Sequence, residues 1–151
     1  MKAQNAFDRG DDLEAKERFL KALKLAVLAR KQYDVSYDSA ETEESRYRLE
    51  WVYYDESRDS VHQTLDSLGL VYYRLGDNLL SAAYAKRATE LAMGSFDGPY
   101  NLHLARALVA LGWNREALTA LDDSLYWYQE CFRRPISEMV ELAELYERLG
   151  E

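Results

Sequence analysis

The chain has 151 residues, 30% charged and 48% hydrophobic, with a formal net charge of −8; that length suffices for one domain with a sizeable core, and the negative balance disfavours nucleic acid as a partner. No apolar run reaches the roughly 18 residues of a membrane span, the opening MKAQNAFDRGDD lacks the apolar stretch of a signal peptide, and the single cysteine, Cys131, cannot close an intramolecular disulfide. The expected location is the cytoplasm, and only two prolines and seven glycines, with few β-branched runs, predict an all-α chain.

In chain order, Asp11-x-x-Glu14 has the form of a capping box. Behind it Ala15, Phe19, Ala22, Ala26, Ala29 and Tyr33 recur at fours and threes, one face of a long helix. Asp38-x-x-Glu41 is expected to open a shorter acidic helix to about Asp55, with Tyr47, Trp51 and Tyr54 along one side. From Asp34 to Asp59 nine acidic residues face three basic ones, so most of the net charge is local.

Ser60-x-x-Gln63 is expected to start the next helix, with Val61, Leu65, Leu68, Tyr72 and Leu75 on its stripe. Inside it lies LGLVYYRLGD, whose two glycines have different meanings. A glycine within a helix costs roughly 1 kcal/mol relative to alanine, so Gly69 marks a place where a neighbouring backbone comes close. Gly76 followed by Asp77 reads as a helix stop and the N-cap of the next helix. That alanine-rich helix runs to about Met93 and ends in the breaker-rich Gly94-Ser-Phe-Asp-Gly-Pro99, with Pro99 suited to a first helical turn. Leu104, Leu108 and Leu111 lead to Gly112, and Ala117, Leu121, Leu125, Tyr128 and Phe132 share a face of the following helix. Pro135 starts the last helix, where Met139, Leu142, Tyr146 and Leu149 lead to Gly150.

The turn glycines are phased. Gly76, Gly112 and Gly150 stand 36 and 38 residues apart, and Gly10 precedes Gly76 by 66, close to two such units. Leu65-x-x-Leu68-Gly69-x-x-Tyr72 resembles the first-helix pattern W-x-x-L-G-x-x-Y of the tetratricopeptide repeat, with Leu65 in place of the tryptophan. The pattern recurs as Leu104-Ala105-x-x-Leu108 before Gly112 with Ala117-x-x-x-Leu121 after it, and as Met139-x-x-Leu142-Ala143-x-x-Tyr146 before Gly150. After Gly10 only the second-helix half is present, as Ala15-x-x-x-Phe19-x-x-Ala22.

The resemblance implies a right-handed superhelix of stacked antiparallel helix pairs in a single domain. It divides into a partial first repeat over 1–33, a degenerate repeat or inserted acidic helix over 34–59, repeats over 60–96 and 97–134, and a capping helix over 135–151. In the cap, Glu138, Glu141, Glu144 and Glu147 would form the polar face that the end of a stack requires.

By the same resemblance the first helices line a concave groove that accepts a peptide or helix of another protein. Offsets from the turn glycines place Gln63, Asp66, Leu70, Tyr73 and Arg74 in it from one unit, and Leu102, His103, Arg106 and Val109 from the next. The cap adds Glu141, Glu144 and Arg148, while Gly69, Gly76 and Gly112 are structural. The lysine and asparagine clamp with which some members of the family grip an acidic chaperone tail is largely missing at these positions. A second candidate surface is the acidic aromatic segment with Tyr37, Glu43, Glu44, Tyr53 and Asp55, suited to a basic, partly apolar partner.

His62 and His103 have no metal-ligand spacing, and one cysteine does not make a zinc site. No nucleophile elbow or phosphate-cradling glycine loop occurs. The expectation is therefore no enzyme activity, no metal and no cofactor, and a scaffold or adaptor that binds another protein. Two further classes stay open. One is a small acidic chaperone of the type III secretion class, whose third repeat Pro99-Tyr-Asn-Leu-His103-Leu-Ala105 resembles, although Gly10 and Gly76 stand two units apart rather than one. The other is a peptide-sensing regulatory domain. Self-association is a further possibility for the partner.

Overall fold

A computed structural model describes residues 2–38, 42, 55–92, 97–130 and 135–150. These form seven helices: α1 (Lys2–Asp8), α2 (Asp12–Asp38), α3 (Asp55–Arg74), α4 (Asn78–Leu91), α5 (Asp97–Leu111), α6 (Asn114–Glu130) and α7 (Ile136–Leu149). Among the described residues there is no strand.

One turn is used three times. At Gly10, Gly76 and Gly112 the backbone adopts φ of +79°, +80° and +73°, the left-handed conformation that glycine reaches without a Cβ clash. Each glycine N–H donates to the carbonyl three residues back, and the next N–H reaches five back: Gly76 to Tyr73 and Asp77 to Tyr72, with matching pairs around Gly10 and Gly112. This is the Schellman closure. The residue after each glycine then caps the following helix. Asp11 Oδ1 accepts from Glu14 N at 3.0 Å and Asp77 Oδ1 accepts from Leu80 N at 3.1 Å. At the third turn Trp113 occupies this place; its carbonyl accepts from Ala117 N, but the indole has no acceptor to offer.

Each helix packs on the next in sequence from α1 to α2 and from α3 through α7, and α2 packs on α3; beyond these neighbours, α3 touches α5 and α5 touches α7. The core follows this order. Ala6, Ala15, Phe19, Leu68 and Val71 join α1, α2 and α3, Leu65, Ala88 and Tyr100 join α3, α4 and α5, and Leu102, Ala105, Leu121, Leu142 and Leu145 join α5, α6 and α7. Small residues allow close approach. A Cβ on Gly69 would lie 3.3 Å from both Ala85 N and Ser81 O of α4, so the helix-interior glycine is where α3 and α4 meet.

Several boundaries differ from those expected. Ser60 does not open a helix: α3 already takes in Asp55, since no glycine or proline separates the two. Asp38 is still part of α2, and the acidic helix expected from there to about Asp55 lies outside the described residues. The α2 face stays in the core at Ala15 and Phe19, is half-covered at Ala22 and Ala26, and is exposed at Ala29, while the Tyr33 side chain lies outside the described residues. The loop before Pro99 is shorter than expected, as α5 takes in Asp97 and Gly98. Gly98 is a close-approach glycine that its loop-like surroundings concealed: a Cβ there would lie 2.3 Å from Trp127 Cε3, and its carbonyl accepts from Ser124 Oγ at 2.8 Å.

Candidate functional site

On α3, α5 and α7 the expected groove positions sort into three groups. Four of them pair with one another across helices. His103 Nδ1 lies 2.8 Å from Asp66 Oδ1, and because an ionised carboxylate can only accept, the imidazole donates. Arg106 donates through Nε and Nη2 to the two carboxylate oxygens of Glu141, the second at 2.7 Å, and its guanidinium stands 5.5 Å from the Tyr73 ring centroid. One turn before Asp66, the buried His62 shares a 2.9 Å hydrogen bond with the Tyr100 hydroxyl. A line of polar bonds thus joins α3 to α5 and α5 to α7.

The second group is turned elsewhere. Arg74 donates to Phe7 O at 3.1 Å, forms an ion pair with Asp12 at 2.9 Å and lies over the Phe7 ring at 4.2 Å, so it fastens α3 to the α1–α2 turn. Leu102 has no exposed surface; it belongs to the core of α5, α6 and α7 and is withdrawn from the groove lining. Val109 is half-buried against the same core. The third group stays available: Gln63, Glu144 and Arg148 are exposed and Leu70 is half-buried. The second candidate surface, Tyr37, Glu43, Glu44, Tyr53 and Asp55, falls where side chains lie outside the described residues.

Helix α7 is anchored as well. Tyr146 donates to Asp122 Oδ1 of α6 at 2.7 Å. Its outer side is not purely polar, because Ile136 and Val140 are exposed beside Glu144 and Glu147.

A cleft of about 600 Å³ opens on another side of the molecule, within the range of roughly 300–1,000 Å³ usual for binding clefts. Its floor is α5, with Asn101, Leu104 and Leu108. Its walls are α4, with Leu79, Ala82, Ala83, Lys86, Thr89 and Glu90, and α6, with Glu116, Thr119, Ala120 and Asp123; Trp113 stands at the mouth. A smaller hollow of about 410 Å³ continues it past Thr89, Asn101 and Asp123 to Tyr126 and Trp127. None of the groove residues expected from sequence lines either space. The available signal was Trp113, a large apolar residue at a position where the other two turns carry aspartate.

Among the described residues no group of three or more His, Cys, Asp or Glu side chains is placed to hold a metal ion, and no helix is long and apolar enough to cross a membrane. Comparison with protein-family models, with curated proteins and with solved structures gives no match.

Proposed function

We propose that the chain is a non-catalytic scaffold or adaptor of tetratricopeptide-repeat type, a right-handed superhelix of helix pairs that acts in the cytoplasm and holds a peptide or helix of another protein. The observation that carries this reading is the thrice-used turn. The same glycine closure with the same two backbone bonds follows α1, α3 and α5, and each helix pair stacks on the next. Such stacking produces long continuous faces, which suit recognition of extended or helical segments.

On the face of first helices, the side chains left for a partner are Gln63, Leu70, Glu144 and Arg148, beside the ring of Tyr73. Arg106 does not serve as a probe of this face, because reversing its charge would set two carboxylates against each other at Glu141. The test is affinity capture from the native lysate with wild type and with the Gln63→Arg/Leu70→Glu pair. The expected result is a protein retained by wild type and lost by the pair, with helical content and cooperative melting unchanged. Identical proteins on both forms would remove the function from this face, and a wild type that retains nothing would overturn the scaffold reading.

A further inference from the structure

We propose that the cleft between α4 and α6 is a docking site for one face of a short, cationic, amphipathic helix of a partner protein. The inference rests on the protein-binding reading above, but on a different face.

The third turn supplies the first reason. Asp11 and Asp77 cap their helices with side-chain oxygens, whereas Trp113, at the equivalent place, gives up that bond and stands 47% exposed at the mouth of the cleft. A local rule broken at one of three equivalent positions points to a use for the residue that replaces the cap. Leu79, 57% exposed on α4, lines the same cleft, and Tyr126, 68% exposed, lines its continuation. Large apolar side chains set in this way around Leu104 and Leu108 are what an incoming apolar stripe would cover.

Shape and hydrogen bonding favour a helix as the occupant. From Leu79 to Glu90 the α4 wall is about 17 Å long at the helical rise, the length of three turns. The cleft is walled and floored by helices whose backbone groups bond internally. The Thr89 and Thr119 hydroxyls donate to Lys86 O and Arg115 O of their own helices. An extended segment would bring backbone N–H and C=O groups that find few partners here, while a helix arrives with its own already satisfied. Asn101 puts one polar group on the floor, which can fix register as a single buried amide does between packed helices.

Charge sets the composition of the partner. Glu116 and Asp123 lie on one wall two turns apart, and both are exposed. On the other wall Glu90 is matched by Arg87 at 2.8 Å, beside Lys86. The cleft thus presents two exposed carboxylates on the α6 side. A helix with lysine or arginine at i and i+7 on the flank facing α6 complements this wall and is steered towards it.

The probe is a lactam-stapled, alanine-based helix of about 14 residues, with leucines at i, i+3 and i+7 on one stripe and lysines at i and i+7 on the adjoining one. A second peptide carries glutamates in place of the lysines. The lysine probe is expected to bind at least about tenfold more tightly than the glutamate one, with amide shifts confined to α4, α5 and α6. Trp113→Asp restores the missing cap, so it should raise Tm by roughly 2–4 °C and weaken the lysine probe at least about tenfold. Thr119→Arg, on an exposed wall position, should weaken it similarly without moving Tm.

Equal affinity for both peptides, binding undiminished in both variants, shifts on the α3–α5–α7 face, or no binding of either peptide at about millimolar concentration would each overturn the proposal. So would concentration-dependent self-association abolished by Trp113→Asp, since the cleft would then belong to a second copy. The lysate capture with Gln63→Arg/Leu70→Glu judges the general reading separately.

Discussion

On the face made by α3, α5 and α7, the polar side chains meet one another: Asp66 with His103, Arg106 with Glu141. Across α4 and α6, Lys86, Glu116 and Asp123 stand around a floor of Asn101, Leu104 and Leu108. A charge with a partner on another helix contributes to helix packing and has little left to offer a ligand. A charge at the rim of an apolar cleft does little for the fold, which is where recognition gains most from it. In a stack of helix pairs the two faces can therefore divide the work, one joining the units and the other remaining open.

The separation of the faces depends on how closely α3 and α4 approach, so the largest expected effect lies there. Gly69→Leu would drive a side chain into Ala85 N and Ser81 O, each 3.3 Å from where its Cβ would stand. The expected loss is about 3 kcal/mol, read as a lower urea midpoint. An unchanged midpoint would mean that α3 and α4 are not held at this distance. Gly98→Ala comes next. Its Cβ would overlap the Trp127 ring, and since Trp127 ends the cleft's continuation, a loss of about 1–3 kcal/mol should accompany a change in that indole's fluorescence.

The comparison itself is tested by paired substitutions. Arg106→Met removes a two-pronged, partly buried pair and leaves Glu141 without its cation, at an expected cost of about 1–2 kcal/mol. Thr119→Arg, exposed on the cleft wall, should stay within about 0.5 kcal/mol. Equal costs in denaturant melts would erase the distinction between a stabilising and an open face.

What the sequence made legible was local. The turn glycines, the caps at Asp11 and Asp77 and the close approach at Gly69 each follow from one residue's backbone or side-chain chemistry, and so could be read without neighbours. The bonds between helices could not. Nothing in the order of residues says that His103 faces Asp66 or that Arg106 reaches Glu141, because these depend on the relative rotation of helices some 35 residues apart. Leu102 shows the same limit at one position: an offset counted from Gly112 put it in the groove, and a small rotation about the α5 axis puts it in the core. Gly98 escaped because a glycine among breakers is ordinary until the opposing Trp127 is known. The cleft escaped because its lining comes from three helices, and only Trp113 departs from a local rule.

The smallest effect separates the two fastenings of α7. The Tyr146 hydroxyl donates to Asp122, and burial first, then that hydrogen bond and the carboxylate's charge, push its pKa above the ordinary value of 10.0. Tyr84 is shifted in the same direction by burial and by Tyr72. A raised phenol pKa means that the folded chain holds its proton more firmly than the unfolded one. The contribution is therefore complete below about pH 10 and is lost as pH rises beyond it, when the unfolded state ionises. Guanidinium and carboxyl groups as a class ordinarily change charge outside that range. Tyr146→Phe should cost about 0.5 kcal/mol at about pH 8 and less at about pH 10.5, while Arg106→Met should cost the same at both. Urea melts of the two variants at the two pH values check this, and a Tyr146→Phe cost that does not shrink in alkali would show that the phenol's proton is not what holds α7 to α6.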